Sequence, residues 1–256
     1  PNCKLLIVMA RNADSDSAPD KHHGHSMLLL PMGTPGVEIV RNIPVVHHHA
    51  PEGHCEIVFR NVRLPADHLL GGGGEGFAMA QARLGPGRVH HCMRTIGQCE
   101  LALELASERA LERQTFGKYL SDYANVQDWI ALSRIEIDQA RLLVLRCAWL
   151  LDHPERSTPA AVRAQVAAIK VVAAGLQTRV MDRAMQIFGA MGLSPDTPLA
   201  YFWTWGRALH LMDGPDEVHL RSVAKHELAQ ARERMGASAA YFTTPEQMQT
   251  PPQLSA

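Results

Sequence analysis

The sequence predicts an α+β fold in which strands come first and a helical bundle follows. Up to about residue 75, apolar residues fall in short runs or alternate with polar ones; from Phe77 onward they recur at helical spacing over long segments. The composition supports a packed core, since 46% of the 256 residues are hydrophobic, ample for one large domain or two small ones.

The strand region is justified segment by segment. Lys4 to Met9 and Met27 to Leu30 are short apolar runs, and Cys55, Ile57 and Phe59 alternate with Glu56, Val58 and Arg60 as on a half-buried strand. Arg11 to Ser26, rich in Asp, Ser and His, reads as an exposed loop. Thr34-Pro35-Gly36 marks a turn before Val37 to Val40, and Pro44 and Pro65 keep strands short. Gly71, Gly73 and Gly76 satisfy G-x-G-x-x-G. A dinucleotide fold needs a second strand and an acid about 20 residues later. Long helical segments follow instead, so the glycines read as a flexible crossing into the bundle.

The helices are read from stripes and end signals. Val162, Val166, Ile169, Ala173, Leu176, Val180, Ala184 and Ile187 recur at steps of four and three on one face. Ile130, Ile137, Val144 and Leu151 form a second stripe, widened by Ile135, Leu142, Leu145 and Trp149, and faces this wide must pack together. Thr158-Pro159 and Thr197-Pro198 each offer an N-cap followed by proline at the first helical position, and Pro154 closes the preceding helix. Helices are expected at about 88–112, 123–152, 159–188, 198–212 and 215–235. The segment from Ser238 onward, with three prolines among Gln, Thr and Ser, reads as a mobile tail.

Charge and cysteine usage exclude several classes. A net charge of -1 and a pI near 7 give no basic surplus for nucleic acid or an anionic membrane. No apolar run approaches a span of about 20 residues, and the Pro1 start shows no signal peptide. Five cysteines without C-x-x-C spacing argue for reduced thiols in a cytosol-like compartment. His22, His23 and His25, then His47, His48, His49 and His54 beside Cys55, suggest zinc, but their spacing is poor for a closed site. They read as solvent-exposed loop histidines, with His48 or His49 able to face a pocket.

Five segments hold the residues that could carry chemistry. Met212 to His219 (MDGPDEVH) is an acidic turn between two helical segments. Taken alone it is a helix start, with Asp213 as N-cap and Pro215 and Asp216 in the first turn. Glu112 to Lys118 (ERQTFGK) ends a long helix, where Arg113 could simply complement the dipole. Gln186 to Gly192 (QIFGAMG) ends another, with Gly189 and Gly192 as ordinary punctuation. Gly53 to Pro65 and Leu69 to Phe77 complete the set.

Taken in their order along the chain, the segments resemble the acyl-CoA dehydrogenase family, from about Leu5 to about Gln230, and the DGPDEVH form is similar to the subgroup whose base is Asp. The resemblance implies a partial antiparallel β-domain over residues 1–75, a C-terminal helical bundle over 76–236 and a flexible tail over 237–256. It also implies that the chain is a C-terminal fragment, with an N-terminal helical domain and further strands upstream, and that it is inactive alone. The implied reaction is α,β-dehydrogenation of an acyl-CoA using FAD, with electrons passed to an electron-transfer flavoprotein by a homodimer or homotetramer. The compartment would be cytoplasmic in a bacterium, mitochondrial or peroxisomal in a eukaryote.

The same resemblance implies residue roles. Asp213 is the base that removes the α-proton, and Gly214 lies near the thioester. Asp is one methylene shorter than the commoner Glu, a loss of reach of about 1.5 Å. Arg113 reaches the FAD pyrophosphate of the neighbouring subunit; Thr115, Phe116 and Gln127 match flavin-contacting positions. Gln186, Ile187, Phe188, Gly189 and Ala190 form the FAD-contacting turn, with Ala190 in place of the family's second Gly. Pro215, Asp216 and Glu217 replace Thr-Ser-Gln, which puts Glu217 where the family has a flavin-contacting Gln. Arg88 matches an Arg near the CoA pocket, against the plainer reading of a surface helix cation. The rival readings are an acyl-CoA oxidase, a non-catalytic helical interaction module and a histidine-rich metal site.

Overall fold

The computed structural model describes residues 2–17, 22–46, 49 and 53–235. The expected mobile tail, together with His47 and His48, lies outside the described residues. Strand β1 (Leu5–Arg11) pairs antiparallel with β2 (His25–Pro31), Leu5 opposite Pro31 and Arg11 opposite His25. Strand β3 (Val37–Asn42) pairs with β4 (Cys55–Phe59), and the two-residue β5 (Leu69–Leu70) closes the other side of β2. Along β1 alternate residues are exposed, so Leu5, Ile7 and Met9 form a bare apolar face on an edge strand.

The glycine segment is a tight junction and not a flexible crossing. The Gly74 amide donates to Ser26 Oγ at 3.0 Å, and Ser26 in turn donates to Asn12 Oδ1 at 2.8 Å. A Cβ on Gly76 would lie 2.8 Å from the Ser26 carbonyl carbon, so only glycine lets the helix start this close to β2.

Helix α1 (Gly76–Glu112) therefore begins about three turns earlier than residue 88. It carries Pro86 in its interior. Gly85 has no Cβ to clash with the proline ring, which relieves the usual bar on a helical residue before proline. A short hairpin, β6 (Gln114–Thr115) and β7 (Lys118–Tyr119), leads into α2 (Ala124–Asp152), α3 (Pro159–Phe188), α4 (Leu199–Leu209) and α5 (Asp216–Glu233).

Thr158 caps α3 as expected, its hydroxyl accepting from the Ala161 amide at 3.2 Å. At α4 the cap position falls one residue later, on Pro198, and the buried Thr197 hydroxyl finds no partner.

The core lies between α1, α2, α3 and α4. Every member of the α3 stripe except Val162, which is half-buried, is buried. On α2, Ile137 and Val144 are buried, whereas Ile135, Leu142, Leu145 and Trp149 are exposed and form a second, outward apolar face. By length and composition Pro159–Leu193 is apolar enough to cross a membrane, contrary to the sequence expectation of no such run. Its stripe is spent on packing within the bundle. Cys92, Cys99 and Cys147 are buried free thiols; burial pushes Cys92 up to about 12 and Cys147 up to about 11.

Ion pairs tie the helices across their flanks. Glu100 of α1 accepts from Arg134 at 2.6 Å and from Arg141, both on α2. Glu136 of α2 accepts from Arg183 at 2.9 Å and Arg179 at 3.0 Å on α3.

Candidate active site

Helix α4 ends at Leu209 and α5 begins at Asp216, leaving a six-residue turn that carries Asp213. Asp213 has φ 55° and Gly214 φ 105°. An L-residue in left-handed space is strained, though Asp tolerates it better than most, and such strain collects at functional sites. Pro215, not Asp213, is the N-cap of α5, and no side-chain cap bond forms there. The helix-start reading of Asp213 therefore fails, while Asp216 and Glu217 in the first turn still suit the dipole.

Two cations and an imidazole clamp the backbone of this turn. Arg88 Nε donates to the Asp213 carbonyl at 3.0 Å, and His219 Nε2 donates to the same oxygen at 3.2 Å. Lys170, 0% exposed on α3, donates to the Leu209 carbonyl and lies 3.4 Å from the Gly214 carbonyl. Burial lowers the Lys170 pKa, and Asp216 and Asp213 oppose the shift. His210 contacts the Asp216 carboxylate and sits 3.2 Å from Thr178 Oγ1 on α3. The turn is thus held from α1, α3 and α5 at once. Arg88, expected at the CoA pocket, spends its Nε on the backbone of the acidic turn.

Asp213 itself is about one-fifth exposed. His91 Nε2 on α1 lies 3.1 Å from Asp213 Oδ2, yet its N–H axis is not aimed at that oxygen, which stays a buried acceptor with no hydrogen-bonded donor. On its other side, His91 Nδ1 accepts from Arg94 Nη2 at 2.8 Å. Burial lowers the His91 pKa; Asp213 opposes this, and Arg94, His90 and Arg83 reinforce it.

The remaining expected residues gather at the opposite end of the bundle. Helices α1 and α3 run side by side in the same direction: the Cys92 thiol donates to the Ile169 carbonyl near one end, and the Arg109 guanidinium lies 5.8 Å over the Phe188 ring near the other. Arg113 is the exposed C-cap of α1. Phe116 (φ 50°) and Gly117 (φ 83°) form the hairpin tip, both in left-handed space as a type I′ turn requires. Phe116 is 100% exposed.

The base of the hairpin is fixed by Tyr123, whose hydroxyl donates to the Thr115 carbonyl at 2.8 Å, and Gln127 donates to the Ser121 carbonyl at 2.9 Å. Gln186, Gly189 and Ala190 are exposed and Phe188 is half-buried, whereas Ile187 is core, so that position could meet a ligand only through its backbone. From His91 to the end of α1 the helix rises about 32 Å at 1.5 Å per residue. The structure therefore groups Asp213, Gly214, Arg88 and Glu217 at one end, and Arg113, Thr115, Phe116, Gln127 and Gln186 to Ala190 at the other.

A cavity of about 230 Å³ beside the acidic turn is lined by Thr95, Gln98, Gln177, Trp205, Leu209 and Met212, among others. Gln177 spans it, accepting from Thr95 at 3.0 Å and donating to Gln98 at 2.6 Å and to the Phe202 carbonyl at 3.0 Å. His49 lines a neighbouring apolar cavity of about 520 Å³ that shares Tyr201 and Trp205 with the first. Among the described residues no group of three or more His, Cys, Asp or Glu side chains is placed to hold a metal ion.

Residues 74–228 match the family model described as acyl-CoA dehydrogenase, C-terminal domain. The chain belongs to the acyl-CoA dehydrogenase family. FadE2 of Mycobacterium tuberculosis, assigned as an acyl-CoA dehydrogenase, is 50% identical over 239 residues, which is 93% of this chain and 57% of its own length. Acyl-CoA dehydrogenase family member 10 of Mus musculus is 48% identical over 229 residues, 89% of this chain and 21% of its own. A solved structure from Mycobacterium abscessus, assigned as an acyl-CoA dehydrogenase, superposes with a TM-score of 0.83 at 48% identity, covering 90% of this chain and 55% of that one. The chain thus spans little more than half the length of FadE2, and much less of the mouse protein.

For a member of this family, sequence reading missed the surroundings of the acidic turn. His91 and Lys170 sit in helical stretches where one polar residue gives no motif, and neither His210, inside the turn, nor His219, in the first turns of α5, carries a signal of its contact. Each contact spans between six and 125 positions, beyond any local spacing rule.

Proposed function

We propose that this chain supplies the catalytic base and part of the cofactor-binding surface of an FAD-dependent acyl-CoA dehydrogenase. The observation that supports the reading best is the Asp213 turn: a carboxylate on strained backbone, held by Arg88, His219 and Lys170, with one buried oxygen lacking a hydrogen-bonded donor. Removing a proton beside a thioester carbonyl needs an anion in a dry, fixed position, and these features provide one. Asp213 takes the α-proton, and the backbone of Gly214, the residue after the base, lies beside the thioester. FAD, when bound, supplies the acceptor for the β-hydride.

The far end of the bundle fits such a cofactor. Arg113 is exposed and can donate paired hydrogen bonds to pyrophosphate oxygens. Thr115 and Phe116 offer a hydroxyl and an exposed ring on a rigid hairpin, Gln127 borders it, and Gly189, with nothing within 4 Å of a built Cβ, admits close backbone approach in the Gln186 to Ala190 turn. Glu217 lies at the Asp213 end, where a flavin ring would sit. Because about 30 Å separates the two groups along α1, one chain's Arg113 surface and another chain's Asp213 would serve the same flavin. That requires a homodimer or dimer of dimers, and the outward apolar face of α2 offers surface for it.

Electron-transfer flavoprotein is the proposed acceptor, and residues 1–75 and 76–236 are read as part of the β-domain and the helical bundle. The compartment follows the source, cytoplasmic in a bacterium and organellar in a eukaryote. The test is anaerobic mixing of FAD-loaded protein containing this chain with saturated acyl-CoAs. Flavin bleaching with one enoyl-CoA formed per flavin, followed by faster reoxidation with electron-transfer flavoprotein than with oxygen, supports the reading. No bleaching by any acyl-CoA contradicts it.

A further inference from the structure

Asp213 needs more than a fixed backbone. A carboxylate can rotate, and one oxygen must face the substrate for the proton to arrive in line. Oδ1 and Oδ2 are not equivalent here, because Oδ2 is buried against His91 Nε2 at 3.1 Å. The state of that imidazole follows from its other contact. A guanidinium can only donate hydrogen bonds, and Arg94 Nη2 lies 2.8 Å from His91 Nδ1. Nδ1 must then be the bare, accepting nitrogen, so the neutral ring carries its proton on Nε2, facing Asp213. Doubly protonated, the ring would set an Nδ1–H against the Arg94 N–H.

From these contacts we infer that His91 is a positioning residue for the base: a neutral imidazole, locked in the Nε2–H form by Arg94, that holds Asp213 Oδ2 and leaves Oδ1 to receive the α-proton. This rests on the reading of Asp213 as base. His91 remains neutral throughout and takes no proton, which goes from the α-carbon to Oδ1. The misaligned contact in the free site tightens when substrate fixes the carboxylate, as catalytic hydrogen bonds commonly do. A neutral donor also sets no positive charge beside the carboxylate. The groups around the pair are arranged for this: Arg83, His90 and Arg94 on α1 disfavour a charged His91, while Arg88 on α1, Lys170 on α3 and His219 on α5 hold the turn.

The test uses FAD-loaded protein containing this chain, with two kinds of measurement. By ¹⁵N NMR of labelled histidine, His91 should be the neutral Nε2–H form near neutral pH, titrating below the ordinary value of 6.5. Asp213→Asn should lower that titration further, since the carboxylate is what raises it. By stopped-flow flavin reduction, His91→Leu should lose roughly ten- to a hundred-fold in rate, the scale of one hydrogen bond to a charged group. His91→Gln, which can donate but cannot titrate, should recover most of that loss and remove the His91 limb of the pH profile. A Nδ1–H tautomer, a His91 titration indifferent to Asp213→Asn, or a wild-type rate in His91→Leu each overturns the inference. Failure of the underlying reading is distinct, because it shows as full flavin reduction in Asp213→Asn whatever His91 does.

Discussion

Gly214→Ala tests the geometry of the acidic turn without touching its carboxylate. Gly214 sits at φ 105°, beyond even the left-handed well of an L-residue, and a Cβ there would lie 3.0 Å from His219 Nε2 and 3.5 Å from its Cε1. Keeping the native turn would cost about 1–3 kcal/mol in backbone strain, before the contact with His219 is counted. At about 2–4 °C per kcal/mol for a chain of this length, the melting temperature should fall by several degrees.

Relaxing the strain means moving His219, which donates to the Asp213 carbonyl, so the base shifts with it. A displacement of about 1 Å at a reacting group can lower a rate by about 10²-fold, and that is the expected loss in flavin reduction at unchanged FAD content. Gly97→Ala is the control. Gly97 lies within α1 with nothing within 4 Å of a built Cβ, and alanine there should stabilise by up to about 1 kcal/mol through helix propensity alone. The measurements are differential scanning calorimetry and stopped-flow reduction on both variants. A Gly214→Ala protein with wild-type melting and wild-type rate would show that the turn accepts a Cβ without strain and does not fix the base.

Two further predictions concern assembly and pH. If Arg113 of one chain and Asp213 of another serve one flavin, Arg113→Ala and Asp213→Asn proteins, each impaired, should regain activity when refolded together, with about a quarter of sites restored under random pairing into dimers; activity that never exceeds the sum of the parents would place both residues on one chain's flavin. In acid, stability should fall in two stages. His91 and His219 both have pKa values lowered by burial, so the unfolded chain gains protons first and stability declines as pH drops below about 6.5. Below about 4.5 a second loss begins, because Arg134 and Arg141 hold Glu100 low, and the bonds from Arg183 and Arg179 outweigh the burial of Glu136. Denaturant melts from pH 8 to 3 should show both, and flat stability down to pH 5 would remove the histidine stage.

Residues that act through local spacing were legible in the sequence. The α3 stripe, the Thr158 cap and the order of strands before helices all follow from periods of two and 3.6 and from capping chemistry. The early start of α1 was not, because Pro86 between two glycines reads as a helix breaker until the missing Cβ of Gly85 is considered against the ring. Nor was the junction at Gly74 and Gly76, whose glycines answer to Ser26, about 50 residues away. At the site, motif resemblance picked out Asp213, but the side chains that hold it come from α1, α3 and α5. Nothing in the local sequence around His91 or Lys170 signals a partner on another element.

The most direct measurement is the rate of flavin reduction by acyl-CoA in Asp213→Asn, made anaerobically on FAD-loaded protein containing this chain. Asn keeps the shape and removes the anion. The rate should fall by about 10²–10⁴-fold, the usual contribution of a positioned base, with FAD still bound and with partial activity in Asp213→Glu. A rate within a few-fold of wild type in Asp213→Asn would contradict the assignment of Asp213 as base.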